Sequence, residues 1–159
     1  MLRLLVLLYA DDTVLFSDSI EGLQRALDAM TSYCKQWKLT VNIAKTKAMV
    51  FGLKVSNTKN IHLTFESKDI EFVSSFSYLG VFFSSNGNFK NQRTHVCNQA
   101  TKAMFALLKK NKCLHIPVDL QLELFDRMIV PVLLYACEIW GYENLGIIEK
   151  LHSKYLKYI

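Results

Sequence analysis

Two adjacent aspartates between apolar runs are the residues in this sequence best suited to chemistry. Asp11 and Asp12 stand in the opening stretch MLRLLVLLYADDTVLFSDS, after the apolar residues 4–9 and before the apolar residues 14–16. Carboxylates are rarely buried unless they are paired or bound to a metal, so the pair indicates an exposed turn or a bound cation. At the tip of a hairpin one or both can project from the edge of the sheet, because the alternation of side chains along a strand breaks there. Carboxylate oxygens suit Mg²⁺, with substrate phosphates completing its coordination shell. The alternative is a solvated turn, which is what most isolated Asp-Asp pairs are.

Two short strands and a helix must position that pair. Residues 3–8 and 13–17 are apolar runs joined by YADD, which predicts a buried β-hairpin. Asp18 and Glu21 are spaced as in a helix capping box, which makes Asp18 the expected cap. Apolar residues then recur at steps of three and four, which predicts an amphipathic helix from about Ser19 to Trp37.

The remaining sequence divides into a strand-like and a helical part. Between residues 39 and 83 apolar runs alternate with polar stretches, and the predicted strands are LTVN, KAMVF, IHLTF, IEFV and SYLGVFF. Helices are predicted over residues 89–112, over residues 118–141 with a break at Pro131, and over residues 145–158. The sequence therefore predicts an α+β fold with an α+β part, residues 1–83, and an all-helical part, residues 84–159.

Composition and charge narrow the class of protein. The 159 residues suit one ordinary domain or one domain with an appendage, and 51% of them are hydrophobic. No acidic residue lies between Glu71 and Asp119, although the net charge is only +5. That interval contains Lys90, Arg93, Lys102, Lys109, Lys110 and Lys112. A face of one sign suggests a polyanionic partner, and an accident of surface composition is the alternative.

Cysteine spacing and hydropathy indicate the cellular compartment in which the protein is expected. None of the four cysteines forms a C-x-x-C pair, and they are predicted to be reduced and mostly buried in an intracellular protein. The first ten residues imitate a short signal peptide, but the following aspartates fit a hairpin better. No apolar stretch reaches the length of a membrane span. We therefore expect a protein of the cytoplasm or nucleus that is not secreted and has no membrane partner.

Four stretches in the same order resemble the reverse transcriptases of non-LTR (LINE-type, jockey-like) retrotransposons. YADDTVLFSDS looks like the catalytic hairpin of that family, and WKLTVN followed by KTK resembles its next palm motif. FSYLGV is similar to the primer-grip hairpin, and PVLLY with EIWG resembles the helical segment after the palm. The resemblance implies a palm hairpin with a packed helix and further strands, followed by an all-helical thumb-like region.

The resemblance also implies roles for residues around the hairpin. Asp11 would be the principal ligand of Mg²⁺ or Mn²⁺, with Asp12 beside it as a weaker ligand or electrostatic support. Tyr9 and Ala10 would line the path of the primer 3′ end. Lys45, which with Asn42 matches the motif after the helix, could neutralise or protonate the departing pyrophosphate, and a solvated lysine is the alternative.

The resemblance of the primer-grip and helical stretches implies roles for further residues. Tyr78, Leu79 and Gly80 would form the primer-supporting turn, although Leu79 reads nearly as well as an ordinary core residue. Tyr135 and Trp140 are interpreted as core residues of the last helices rather than base-stacking platforms.

The basic helix falls where a thumb-like element would follow the template–primer duplex. Lys102, Lys109 and Lys112 are therefore expected to face outward and bind phosphates, opposite Val96, Ala103 and Leu107. The implied partners are an RNA template and a DNA primer, paired as an RNA–DNA duplex, with a dNTP in the intact parent enzyme.

Parts of the family pattern are missing from this sequence. The family carries a further metal-binding aspartate and a fingers region upstream of YADD, and neither Asp18 nor Asp28 replaces that aspartate. The expectation is a fragment whose two-metal nucleotidyl transfer belongs to the intact parent and which is inactive alone. Two alternatives are a non-catalytic nucleic-acid-binding remnant using helix 89–112 and an unrelated small α+β domain with a chance YADD turn.

Overall fold

Two compact units make up the chain, and they meet between Phe76 and Ser77. The computed structural model describes residues 6–52, 61–141 and 146–159. Small hairpins alternate with helices along these residues, so the predicted α+β class is confirmed.

The predicted hairpin at the start of the first unit is present. Strands β1 (Val6–Tyr9) and β2 (Asp12–Leu15) pair antiparallel, with Tyr9 opposite Asp12. The predicted burial is wrong for β1, because every residue of that strand is exposed and Leu8 is 72% exposed. Apolar character gives a strand the capacity to be buried, but burial also requires a covering layer. In the described part of the chain, β1 pairs with β2 alone.

Helix α1 (Ile20–Trp37) packs against the second strand of the hairpin. Its N-cap is Ser19, whose hydroxyl accepts a hydrogen bond from the Gly22 N–H at 3.0 Å, so the predicted cap at Asp18 is wrong by one residue. The helix ends at Lys38, which adopts the left-handed conformation with φ +54°. Its inner face joins a core that consists of Leu27, Cys34, Ala48, Leu63, Phe65 and Ile70.

The strands between α1 and the second unit are much shorter than predicted. β3 (Lys47–Ala48) pairs parallel with β6 (Glu71–Phe72), and β4 (Thr64–Phe65) pairs antiparallel with β5 (Lys68–Asp69). LTVN is not a strand, and β5 lies in a stretch interpreted as a polar separator. Pairing partners, which apolar runs do not reveal, decide these limits.

The Gln24 side chain fastens β4 to α1. Its amide nitrogen donates to the Thr64 carbonyl at 3.0 Å, and its amide oxygen accepts from the Thr64 N–H at 2.9 Å. The side chain thus satisfies both backbone groups of Thr64, as a neighbouring strand would.

The second unit of the described structure contains five helices and a hairpin whose first strand begins two residues before the boundary. The hairpin consists of β7 (Ser75–Tyr78) and β8 (Val81–Ser84), and its two-residue link requires an antiparallel pair. The helices are α2 (Lys90–Leu114), α3 (Val118–Met128), α4 (Val130–Leu133), α5 (Cys137–Trp140) and α6 (Gly146–Leu156). Pro131 lies in the first turn of α4, so the predicted break is confirmed.

The core of the second unit lies between α2, α3, α4 and α6. Its buried side chains are Cys97, Ala100, Met104, Leu107, Phe125, Ile129, Leu133, Leu151 and Tyr155. The buried Tyr155 hydroxyl donates to the Gln121 carbonyl at 2.8 Å and receives a longer contact, 3.4 Å, from the Asn111 amide. The core is thus apolar, with one satisfied polar network.

All four cysteines are free, as predicted, but the expected burial holds only in part. Cys34 and Cys97 are buried, whereas Cys113 is exposed and Cys137 is half-buried.

None of the described helices is both long enough and apolar enough to cross a membrane.

Candidate functional site

The aspartate pair lies at the tip of the β1–β2 hairpin. Asp11 follows Ala10 in the turn, Asp12 is the first residue of β2, and both side chains are exposed. Ala10 has φ +51°, a conformation that non-glycine residues seldom adopt. The paired strands on either side hold this turn, which places Asp11 at the tip and Asp12 in the last pair of the ladder, opposite Tyr9.

The two carboxylates suit one hard cation better than two. Mg²⁺ is commonly bound by one or two carboxylates while phosphate oxygens and water fill its other positions. Among the described residues, no group of three or more His, Cys, Asp or Glu side chains could hold a metal ion. A two-metal site would need further ligands besides Asp11 and Asp12.

Lys45 lies in a tight turn organised by Asn42. The Lys45 N–H donates to the Asn42 carbonyl at 3.1 Å and to the Asn42 side-chain oxygen at 3.3 Å. The Thr46 hydroxyl adds a bond of 3.0 Å to the same carbonyl. Lys45 is exposed, and within the described residues no ion pair joins it to Asp11 or Asp12.

Leu79 and Gly80 form the turn of the β7–β8 hairpin. Both residues are left-handed, with φ +48° for Leu79 and +75° for Gly80. A turn is present where the resemblance implied one, but Tyr78 is the last residue of β7 and the single strand predicted over SYLGVFF is wrong, because the left-handed pair divides it. Leu79 is an exposed turn residue rather than a core residue. Glycine adopts this conformation without strain, whereas leucine needs support from its surroundings.

Tyr135 supplies that support. Its hydroxyl donates to the Leu79 carbonyl at 2.8 Å, and its ring lies so close to Gly80 that an added Cβ would be 3.2 Å from the Tyr135 Cε1 atom. The buried Trp140 indole in turn donates to the Tyr135 carbonyl at 2.9 Å. Trp140 is a core residue as predicted, but Tyr135 is 52% exposed, so its core assignment is wrong. A tyrosine hydroxyl in an apolar run usually has a partner, which was the available signal.

Gln92 braces the other strand of the same hairpin and was missed in the sequence. Its side-chain oxygen accepts the Phe82 N–H at 2.9 Å, and the residue is fully buried. Its amide nitrogen has no hydrogen-bond partner among the described residues. The available signal was its position four residues before Val96, which places it on the inner face of α2 despite its polarity.

The lysines on α2 have the orientation that the sequence predicts. Lys102, Lys109 and Lys112 are exposed, while Val96 and Leu107 are buried and Ala103 is half-buried. Helix α2 contains no acidic residue, so its outer face has one sign of charge. The contact of these lysines with nucleic acid stays a prediction.

Comparisons with known proteins identify the family of this chain. Residues 2–83 match the reverse transcriptase (RNA-dependent DNA polymerase) family, and the chain belongs to that family. The predicted relation to jockey-like retrotransposon enzymes is confirmed by its similarity to several named transposon polymerases.

Three curated relatives illustrate the relation. A probable RNA-directed DNA polymerase from transposon BS of Drosophila melanogaster is 25% identical over 99% of this chain. The RNA-directed DNA polymerases from mobile element jockey of Drosophila funebris and Drosophila melanogaster are each 23% identical, over 99% and 98% of this chain. The chain spans 18% of the length of each of these relatives. No solved structure matches it significantly.

Proposed function

We propose that this chain supplies the metal-binding hairpin, the primer-supporting turn and the thumb-like helix of an RNA-directed DNA polymerase from a non-LTR retrotransposon. The observation that carries the proposal is the YADD turn, which holds both carboxylates exposed at the tip of a paired hairpin. Carboxylates fixed in this way are suited to binding Mg²⁺ or Mn²⁺ between protein and phosphate. The cation would stabilise the charge that develops during nucleotidyl transfer.

The residues around the carboxylates have complementary roles in this proposal. Tyr9 and Ala10 line the path of the primer 3′ end, and Lys45 provides a positive charge for the departing pyrophosphate of a dNTP. In the other unit, Tyr78, Leu79 and Gly80 support the primer at the hairpin turn, where the missing Gly80 side chain leaves room for the Tyr135 ring that braces the turn.

Helix α2 is proposed to bind an RNA–DNA duplex formed by template and primer. Such a hybrid is recognised mainly through its backbone and shape, for which exposed lysines without acidic neighbours are suitable. If Lys102, Lys109 and Lys112 each contact one phosphate, log Kd should change with log salt with a slope of about 2–3 in magnitude.

The duplex-binding step is tested with a matched pair of triple variants. Lys102→Gln, Lys109→Gln and Lys112→Gln together should weaken binding to a blunt RNA–DNA hybrid and flatten the salt dependence. The control replaces three exposed lysines of the first unit by Gln and removes the same charge; these are Lys35, Lys38 and Lys68. Equal effects of the two triple variants would contradict a local phosphate-binding surface on α2.

The metal-binding step has its own control. Mn²⁺ should broaden the NMR signals of the hairpin amides at millimolar concentration, and Asp11→Asn with Asp12→Asn should abolish the effect. Asp69→Asn removes an exposed carboxylate from another strand and should leave it unchanged. Broadening that survives the double substitution would contradict a metal site at the hairpin.

The chain alone is proposed to be inactive in DNA synthesis. Two carboxylates do not position two cations, and positioning contributes a large part of such catalysis. On a primed RNA template with Mg²⁺ and dNTPs, incorporation should not exceed that of an Asp11→Ala control. Incorporation above that control would show that the described carboxylates suffice.

A non-catalytic nucleic-acid-binding remnant is the second candidate, and the acid-free face of α2 favours it. This candidate predicts the same binding to the RNA–DNA hybrid but no metal binding at the hairpin. Lysine-dependent hybrid binding without any Mn²⁺ effect at the hairpin would therefore favour the remnant.

A further inference from the structure

An exposed aromatic ring stands in the middle of the lysine stripe on α2. Lys102, Phe105, Lys109 and Lys112 are spaced by three, four and three residues, which places the lysines within about 60° of Phe105 around the helix. All four are exposed, and Phe105 is 42% exposed. Phosphate binding alone gives no reason for an exposed phenyl ring at this position.

Helix α6 and the residues after it extend the same surface. The Tyr158 ring, 58% exposed, meets Phe105 edge to face with 5.8 Å between ring centroids. The Lys154 Nζ atom lies over one face of the Phe105 ring, 4.9 Å from its centroid, as in a cation–π contact. We call Lys102, Phe105, Lys109, Lys154 and Tyr158 the aromatic–lysine surface.

The charge of this surface selects a polyanion. Helix α2 contributes no acidic side chain. Glu149, the acidic residue of α6, precedes Lys154 by five positions and therefore lies about 140° away around that helix. An apolar protein partner would not require several lysines around the aromatic side chains, whereas a polynucleotide would bind them through its phosphates.

The two rings distinguish between paired and unpaired strands. Bases within a duplex are stacked on each other and present edges and phosphates to a protein, so a duplex leaves exposed aromatic rings unused. Unpaired bases offer their faces for stacking, and basic surfaces with interspersed aromatic side chains are typical of single-strand binding.

We propose that the aromatic–lysine surface binds a single-stranded polynucleotide, with unpaired bases stacked on Phe105 and Tyr158 and its phosphates contacted by the lysines. This inference deepens the proposed function, since it rests on α2 being a nucleic-acid surface. It adds that the surface takes an unpaired strand through ring contacts that a blunt duplex does not use.

The test compares two probes on the 159-residue chain. One is a single-stranded 12-nucleotide RNA containing 2-aminopurine, and the other is a blunt RNA–DNA hybrid of the same sequence. Stacking on a ring should quench the 2-aminopurine fluorescence when the wild-type chain binds. Phe105→Leu with Tyr158→Leu should weaken single-strand binding about 5-fold to 150-fold for each stacked base and abolish that quenching. Hybrid affinity and the salt slope for either probe should change little, because no charge is removed.

Matched variants separate stacking from folding. Phe16→Leu makes the same substitution in the first unit at a residue that is also 42% exposed, and it should leave both affinities unchanged. Phe105→Tyr with Tyr158→Phe keeps both rings and should retain the quenching. If the double leucine variant is unstable, Tyr158→Leu alone removes the more exposed ring and should still weaken single-strand binding.

The outcomes distinguish this inference from the proposed function. Retained quenching in the leucine variants, or an equal loss of affinity for single strand and hybrid, would overturn stacking on this surface. A wild-type chain that binds hybrid but not single strand would also overturn it and leave the proposed function standing. Binding of neither probe at low salt would overturn both.

Discussion

Removal of one hydroxyl group should loosen the turn at Leu79 and Gly80. Tyr135→Phe keeps the ring beside Gly80 and deletes only the hydrogen bond of 2.8 Å to the Leu79 carbonyl. That bond supports a leucine held at φ +48°, so its loss removes a restraint from a conformation that leucine adopts unfavourably. Trp140, which binds the Tyr135 backbone, is untouched.

The magnitude follows from the exposure of the bond. A hydrogen bond of this kind contributes about 0.5–1.5 kcal/mol to stability, and a half-exposed tyrosine belongs to the lower part of that range because water can replace it. We expect a loss of about 0.5–1 kcal/mol in the free energy of unfolding, equivalent to about 1–8 °C in Tm for a chain or unit of this size.

Two measurements locate the effect. Thermal unfolding followed by circular dichroism gives the overall loss, and amide hydrogen exchange should accelerate most in β7 and β8. Tyr33→Phe is the matched control, since Tyr33 is an exposed tyrosine whose hydroxyl makes no hydrogen bond to another described residue. An equal loss in both variants, or unchanged exchange in the hairpin, would refute the argument that Tyr135 positions the turn.

Three further predictions concern stability. Burial raises the pKa of the Tyr155 hydroxyl above its ordinary value of 10.0, despite the opposing hydrogen bond from Asn111. The stability that this shift contributes should be fully present below pH 10 and should be lost at higher pH, because the unfolded chain ionises first. Denaturant midpoints measured from pH 8 upward test this, and Tyr155→Phe should reduce the slope above pH 10. Met104→Ala empties a fully buried position in the second unit and should cost about 2–5 kcal/mol in denaturant unfolding. Gln24→Ala leaves the two Thr64 backbone groups without their partner and should lower the free energy of unfolding by about 1–3 kcal/mol. Gln36→Ala, on the exposed face of the same helix, should lower it by less than about 0.5 kcal/mol, and urea titration of each variant measures both losses.

Local patterns in the sequence determined the elements that depend on near neighbours. The apolar runs around Asp11 and Asp12 specified the hairpin, the spacing of apolar residues specified α1 and α2, and Pro131 specified a break. These signals are reliable because turn residues, helical periodicity and a missing N–H act within a few residues of the chain. The family relation likewise followed from short motifs in order.

Only the tertiary structure decided which apolar and polar side chains find partners. Strand β1 is as apolar as a core strand yet exposed, while Gln92 is polar yet buried against Phe82. The contact of Tyr135 with Leu79 spans 56 residues of sequence. No periodicity encodes such pairs, because burial and hydrogen bonding depend on the surfaces that distant segments bring together.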